Sequence, residues 1–167
     1  WPEFQQLSTT LRRYLEEVAL PQIHDGLERS GRDRKHFEVW GGGFIATGRD
    51  ADEVAKQFEW CRYRIAFYGS TRSYSPVLTL HGWDDLAARL HEMSKRGQWK
   101  QMAAQVPDEV VHEFTATAPH GELKAAVEKR FGGLVDSIAL GFADEMPAGL
   151  ARELVGDLRT IPQTFQG

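Results

Sequence analysis

The sequence contains almost no cysteine and no long apolar run. Cys61 is the only cysteine among 167 residues, which excludes an intramolecular disulfide and a cysteine-rich metal site. Its place among apolar helical positions predicts a buried, inert thiol, with a reactive thiol as the alternative. No apolar run approaches the roughly 20 residues that cross a bilayer, and the first residues lack a signal-peptide pattern. We therefore expect a cytoplasmic protein without a membrane partner.

The sequence also lacks an excess of charge of one sign. Twenty Lys and Arg residues stand against 24 Asp and Glu residues, which leaves a formal net charge of -4. Such a chain offers no broad cationic field to a nucleic-acid backbone, so nucleic acid is not an expected partner. Apolar residues make up 41% of the sequence, which is enough to build a core and excludes an intrinsically disordered chain.

The length fits one domain or part of one, since domains contain about 100–200 residues. The chain begins at Trp1 and not at a methionine, and we therefore expect a piece of a longer protein. We interpret residues 1–167 as a single partial domain. Within it, residues 69–106 form a helical insertion of short helices separated by Gly and Pro signals.

Strands and helices alternate along the sequence. Strands are predicted over residues 37–47, 113–118 and 134–140, and the clearest helix runs from a capping box at Asp50 and Glu53 to Gly69. This alternation builds a parallel sheet with helical crossovers, in which consecutive strands are neighbours. A (β/α)8 barrel needs eight strands. The sequence therefore predicts an α/β fold, the carboxyl-terminal part of a TIM barrel, with three parallel strands and surrounding helices.

Three features that could indicate functional motifs are better explained without a function. Gly41-x-Gly43-x-x-Ala46 has the form of a dinucleotide fingerprint, but strand residues follow it, which favours a bulge or a close backbone approach. The six histidines show no metal-ligand spacing, so we predict no metal site. Ser70 lacks the second glycine of a nucleophile elbow, and a capped turn explains it better.

The segment from Ile65 to Trp83 concentrates aromatic, hydroxyl, arginine and histidine side chains in an irregular connection. Residues that contact ligands are often found in such connections, which a rigid scaffold positions. Tyr and Trp side chains also pack in cores without any binding role. The segment is therefore a candidate binding surface, with structural packing as the alternative.

The same segment carries a resemblance to a known family. It resembles the luciferase-like monooxygenase superfamily, in particular the branch of coenzyme F420-dependent oxidoreductases. The resemblance covers nearly the whole chain from about Thr9 onward. The most specific residues are the runs AFYGST (66–71) and LHGW (80–83). The other matching residues are Arg64, Tyr74, Val77, Leu78, Leu90, the run 94–97, Trp99, Met102, the run 108–110, Phe114 and the run 133–136.

The resemblance implies a barrel of roughly twice this length. In it, F420 or FMN lies at the carboxyl ends of the strands and exchanges a hydride with a small organic substrate. By strand polarity we expect Thr47, Gly48 and Arg49 to contact the cofactor, with Arg49 meeting an anionic tail. His120 is the candidate for donating or accepting a proton. Arg49 and His120 also have the alternative of being solvated surface residues.

We assign the substrate side of the pocket to the polar and aromatic residues of the resembling segment: Tyr68, Ser70, Thr71, Tyr74, His81 and Trp83. A regular helix over residues 50–68 carries the chain away from the carboxyl face. These residues therefore reach the pocket only if the inserted helices return to that face.

A second hypothesis is a non-catalytic remnant that dimerises or docks onto another chain. Open parallel strands expose unpaired backbone groups and an apolar face, so we expect a homodimer. Most walls of the pocket belong to strands outside these 167 residues. The chain alone should therefore bind F420 or FMN weakly or not at all.

Overall fold

The computed structural model describes residues 12–139 and 146–166. Helices dominate these ranges, and four short strands lie between them. The strands are β1 (Trp40–Gly41), β2 (Phe44–Gly48), β3 (Thr115–Pro119) and β4 (Ser137–Ile138). The helices are α1 (Leu20–Ser30), α2 (Ala51–Gly69), α3 (Ser75–Leu80), α4 (Asp84–Lys95), α5 (Trp99–Met102), α6 (Asp108–Phe114), α7 (Leu123–Phe131) and α8 (Ala148–Leu158).

The first helix is continuous with irregular turns before it. A helical turn at Arg12–Tyr14 and a π-helical segment at Leu15–Ala19 lead into α1. Thr9 and Thr10, whose side chains can cap a helix, lie outside the described residues. The π segment directly precedes the turn that contains Pro21, and proline lacks the N–H that continues an α-helical ladder. Gly31 ends the helix, with a left-handed φ of 67°.

The predicted capping box starts α2. The Asp50 carboxylate accepts a hydrogen bond from the Glu53 N–H at 2.9 Å, and Glu53 reaches back to the Arg49 N–H at 2.9 Å. Together these bonds satisfy backbone donors that an α-helix leaves free at its start. The helix then runs back along β2, where the Cys61 thiol lies 3.9 Å from the Ile45 carbonyl oxygen.

The strand predicted over residues 37–47 is two strands, β1 and β2, separated at Gly42 and Gly43. A Cβ atom on Gly43 would lie 2.6 Å from the Phe131 ring, and one on Gly41 would lie 2.7 Å from Val135. Helix α7 and the turn after it thus approach the backbone too closely for a side chain. The close backbone approach predicted from the glycines is confirmed.

The strands pair in parallel, as predicted. β2 pairs with β3 so that Phe44 lies opposite Thr115 and Gly48 opposite Pro119, and β1 pairs with β4. The expected order is wrong in one respect, because β4 pairs with β1 instead of with β3 in the described residues. Because the first predicted strand is broken at Gly42 and Gly43, its first half (β1) pairs with β4 and its second half (β2) pairs with β3.

The ends of the other two predicted strands also need correction. The second begins at Thr115 instead of residue 113, because helix α6 continues to Phe114. The third is described only as Ser137–Ile138, and its predicted end at residue 140 lies outside the described residues. Helix α8 begins directly after Pro147. No helix in the described ranges is both long and apolar enough to span a membrane.

Two apolar clusters hold the elements together. One lies between β2 and helices α2, α3, α4 and α6, with Leu78, Leu90 and Val111 almost fully buried. The other packs β2 and β3, through Ile45 and Ala116, against α7 and α8 around Leu123 and Leu154. Burying apolar side chains is the main favourable contribution to folding, so both clusters fix the positions of the strand ends.

Asp136 joins distant parts of the chain at the start of β4. Its carboxylate accepts hydrogen bonds from the Val39 N–H and the Arg34 guanidinium, both at 2.8 Å. It also accepts from the N–H groups of Thr164 and Phe165, both at 2.9 Å. The side chain is only 1% exposed. This single carboxylate therefore ties the entry to β1, the Arg34 turn and the segment after α8 to one point.

Candidate functional site

The carboxyl ends of β2 and β3 bring two predicted site residues together. Because the strands are parallel and paired in register, Thr47 and the residue after Pro119 end at the same edge of the sheet. The Thr47 hydroxyl and His120 Nδ1 share a hydrogen bond of 3.0 Å, although 73 residues separate them in sequence. Thr47 is buried, so the bond fixes the position of the imidazole. We call this arrangement the Thr47–His120 edge.

Gly48 and Arg49 connect this edge to the start of α2. A Cβ atom on Gly48 would lie 2.8 Å from the Val54 nitrogen, so only glycine allows the helix to begin so close to the strand end. The Arg49 guanidinium, 76% exposed, donates to the Glu53 carboxylate with an Nε to Oε1 distance of 2.8 Å. The charge of Arg49 is thus already paired within the chain.

Glu53 is the site residue that the sequence analysis treated only as a helix cap. The side-chain hydrogen bond from Arg49, then the one from the Arg49 backbone, and to a smaller extent the charge interaction with His120 together lower the pKa of Glu53 to about 2. Glu53 is therefore ionised near neutral pH. The four-residue spacing of Arg49 and Glu53 at a helix start was the signal in the sequence for this pair.

The other predicted group lies at the opposite end of the strands. Helix α2 has 19 residues, and at 1.5 Å per residue it is about 28 Å long. At its far end the Tyr68 ring lies 6.2 Å from the ring of Phe44, where β2 begins. The Trp83 ring lies 6.4 Å from that of Phe114, just before β3.

The prediction that this group shares one pocket with Thr47 and His120 is therefore corrected. The physical reason is the length and regularity of α2, since α3 and α4 pack at its carboxyl end and do not return to the other face. The residues placed away from the Thr47–His120 edge are Tyr68, Ser70, Thr71, Tyr74, His81 and Trp83.

Most of this group packs within the chain. Tyr68 and Tyr74 lie 5.5 Å apart and line a cavity of about 10 Å³, which is too small for an organic substrate. The His81 ring stacks on Trp83 at 4.7 Å, and burial lowers the pKa of His81. Ser70 is buried and donates its hydroxyl to the Phe67 carbonyl at 2.7 Å, as expected of a capped turn. Thr71 is exposed.

The largest cavities described lie away from the Thr47–His120 edge. One of about 580 Å³ is bordered by Trp40, Phe131, Asp136 and residues of α8. Within residues 12–139 and 146–166, no group of three or more His, Cys, Asp or Glu side chains is placed to hold a metal ion. The edge offers a hydroxyl, an imidazole and a paired charge.

Three curated relatives are similar to most of this chain. They are uncharacterized proteins of Mycobacterium bovis and of two strains of Mycobacterium tuberculosis, each 43% identical over 127 residues. The matched region is 76% of this chain and 37% of each relative. The chain therefore spans little more than a third of the length of the relatives it matches.

A solved structure has a similar fold. It is the coenzyme F420-dependent tetrahydromethanopterin reductase from Methanopyrus kandleri, with a TM-score of 0.70 and 22% sequence identity. The match covers 90% of this chain and 42% of the reductase chain. At that identity the likeness concerns the fold, and it confirms the predicted α/β architecture as part of a larger barrel.

The family model for luciferase-like monooxygenases matches residues 7–137. That range includes β1, β2, β3, the Thr47–His120 edge and the segment that carries the sequence resemblance. It extends over most of the chain. The chain belongs to the luciferase-like monooxygenase family.

Proposed function

We propose that the chain is the carboxyl-terminal portion of an oxidoreductase that transfers a hydride between F420 or a flavin and a small organic substrate. The observation that carries the proposal is the Thr47–His120 hydrogen bond at the carboxyl ends of two paired parallel strands. In barrels of this architecture the active site is built from the loops at that face. Membership of the luciferase-like family and the fold shared with an F420-dependent reductase support the choice of cofactor class.

The residues at the edge fit a hydrogen-bonding role toward such a cofactor. Thr47 and His120 together offer a hydroxyl and an imidazole held in fixed relation. Arg49 fits an anionic tail less well than predicted, because Glu53 already occupies its guanidinium. An anion there must displace the Glu53 carboxylate or bind to the outer side of the pair. We therefore assign Arg49 and Glu53 to shaping the edge, and Thr47 and His120 to ligand contact.

When bound, the cofactor supplies the hydride chemistry, and His120 donates or accepts the accompanying proton. With Nδ1 bonded to Thr47, proton exchange with a ligand falls to Nε2. The ionised Glu53 carboxylate lies close enough to His120 for the two side chains to interact electrostatically. Thr47 acts as a positioning residue, because its buried hydroxyl fixes which way the ring faces.

Affinity of the chain alone for the cofactor is expected to be weak. The three largest cavities described are lined by other residues, and so the edge contributes one wall of a pocket. Hydride transfer needs the ring held rigidly against the substrate, which one wall does not provide. The complete activity therefore belongs to a longer protein of the kind that the relatives represent.

Equilibrium titration with F420, and separately with FMN, followed by fluorescence, tests this assignment. We expect weak, saturable binding of one of them by the 167-residue chain. Thr47→Val and His120→Ala should each raise Kd by about 3- to 10-fold, the range of one lost hydrogen bond. Thr71→Val is the matched control, because it makes the same change in the group at the far end of α2.

Equal loss of affinity in Thr71→Val and Thr47→Val would contradict the assignment of the edge. Absence of saturable binding by the wild-type chain to either compound would contradict it as well. Circular dichroism of each variant checks that the fold is retained, and Thr47→Ser should restore affinity because it keeps the hydroxyl.

A further inference from the structure

A cavity of about 580 Å³ is bordered by α7, α8 and the paired strands β1 and β4. Each of these elements supplies part of its lining, which includes Trp40, Phe131, Ile138 and Leu158. We call this space the α7–α8 cavity. Its volume lies within the range of about 300–1,000 Å³ that is typical of sites for small organic molecules. None of the described residues that line it belongs to the Thr47–His120 edge.

The inner part of the α7–α8 cavity is apolar. Val127, Phe131 and Val135 line it and are themselves buried, so the second apolar cluster holds them in place. The half-buried side chains of Trp40 and Leu158 add further apolar wall. Such walls gain free energy when they remove an apolar ring from water. The cavity therefore suits a ligand with an aromatic body.

Two polar side chains of the cavity wall already have partners within the chain. The Asp136 carboxylate accepts four hydrogen bonds, one of them from the Arg34 guanidinium at 2.8 Å. The Ser137 hydroxyl donates to the Glu38 carboxylate at 2.5 Å. Because the charge of Arg34 offsets that of Asp136, this part of the wall does not repel an anion. Asp136 and Ser137 therefore shape the cavity and leave ligand recognition to other groups.

The rim of the α7–α8 cavity carries a positive charge. Its exposed lining residues are Arg159, Pro162 and Gln163, and Arg159 is the only basic residue among the described lining residues. None of the ion pairs found within residues 12–139 and 146–166 involves Arg159. In contrast to Arg49, its guanidinium can donate to a ligand without first leaving a carboxylate. A guanidinium beside an apolar cavity favours a ligand that carries an acidic group.

From this geometry we propose that the α7–α8 cavity is a second binding site, which takes a small organic anion with an aromatic body. The aromatic body packs against Trp40 and Phe131, and the acidic group accepts hydrogen bonds from the Arg159 guanidinium. The proposal does not depend on the cofactor assignment, because the cavity is lined by other residues than the Thr47–His120 edge.

Fluorescence titration with 8-anilinonaphthalene-1-sulfonate (ANS) and with its uncharged analogue N-phenyl-1-naphthylamine tests the site. The two probes have the same aromatic body, and only ANS carries an acidic group. We expect the wild-type chain to bind each probe saturably at one site. Arg159→Gln should raise the Kd of ANS about 5- to 30-fold, the effect of a lost hydrogen bond to a charged group, and leave that of the uncharged probe within about twofold. Arg152→Gln is the matched control, because it removes the same charge from an exposed position of α8 outside the cavity.

Filling the cavity gives an independent check. Val155 lines the cavity from α8, so the indole of Val155→Trp takes up space that either probe needs. This variant should raise the Kd of both probes at least about tenfold. Glu153→Trp is the control, because it adds the same side chain at an exposed position of α8 outside the cavity. Circular dichroism checks the fold of each variant, and in ¹⁵N spectra ANS should shift the Trp40 indole N–H resonance.

Three results would overturn the proposal. They are no saturable ANS binding by the wild-type chain, equal ANS affinity in Arg159→Gln and Arg152→Gln, and ANS binding that Val155→Trp leaves intact. The first would show that the cavity is closed in solution, and the other two would assign the probe to another place. Loss of the Trp40 shift when FMN is added would overturn the separation of this site from the cofactor site. Failure of the cofactor assignment alone would leave all the expected ANS results unchanged.

Discussion

Replacing Asp136 by asparagine tests how the carboxyl-terminal segment is held. The carboxylate accepts four hydrogen bonds, one of them from the Arg34 guanidinium, and it is almost fully buried. The substitution removes the charge and turns an NH₂ group toward backbone N–H donors. Breaking a buried ion pair costs about 3–5 kcal/mol of unfolding free energy, and we expect a loss in this range. For a chain of this size that corresponds to a fall in Tm of roughly 6–20 °C.

The pH dependence gives the same prediction a second check. Burial alone would raise the pKa of Asp136, but hydrogen bonds from Val39, Phe165 and Arg34 hold it below its ordinary value. A lowered pKa in the folded state contributes stability that is complete above the unfolded pKa of about 3.9. It is lost as the pH falls through the folded pKa. The stability difference between Asp136→Asn and the wild type should therefore be largest near neutral pH and shrink in acid.

Denaturant unfolding by circular dichroism, at neutral pH and in a series toward acid, measures this difference. Asp25→Asn makes the same chemical change at an exposed position of α1 and should alter the unfolding free energy by less than about 0.5 kcal/mol. The reasoning would be refuted by Asp136→Asn changing stability as little as Asp25→Asn. A difference that grows in acid would refute the sign of the pKa shift.

Two further predictions concern the core around the strands. Gly43→Ala should destabilise the chain by about 1–3 kcal/mol in chemical unfolding, because its methyl group would meet the buried Phe131 ring. Gly156→Ala, at an open position of α8, should instead stabilise by roughly 0.5–1 kcal/mol, and the same sign for both would count against the packing. Burial raises the pKa of Cys61 to about 12. Thiol reagents at about pH 8, near the ordinary thiol pKa, should therefore label the unfolded chain but not the native one, and rapid stoichiometric labelling of the native protein would show an accessible thiol.

Features set by local sequence were predictable for this protein. The capping box at Asp50 and Glu53 defined the start of α2 because capping depends on residues within one helical turn. The glycines at 41 and 43 indicated a close backbone approach, although not that the strand would divide there. Parallel pairing followed from helical crossovers, which is a rule of connection and needs no knowledge of contacts.

Features set by distant contacts were not predictable. The pairing of β4 with β1 depends on Asp136, whose carboxylate binds the Val39 N–H and fixes that register. The start of β3 was placed too early because Phe114 is an apolar residue that fits either a helix end or a strand start. Nothing in a single sequence distinguishes these two uses of one buried side chain.

Of the two predicted groups of site residues, only the proximity of Thr47 and His120 was predictable from the sequence. Thr47 and His120 were found from strand polarity, since parallel strands bring their carboxyl ends to one edge. The group that includes Tyr68 and Trp83 was assigned from composition and family resemblance. Neither of these shows at which end of the strands the residues lie. Their position is set by the 19-residue helix α2, which ends at the amino side of the strands.

The central claim is that the ligand-binding face is the Thr47–His120 edge. The most direct test is an NMR titration of the ¹⁵N-labelled chain with F420 and, separately, with FMN, because chemical-shift changes locate even weak binding. We predict saturable shifts at the amides of Thr47, Gly48, His120 and their neighbours, reduced in His120→Ala. Shifts centred instead on the amides of residues 68–83, or no shifts with either compound, would contradict the account.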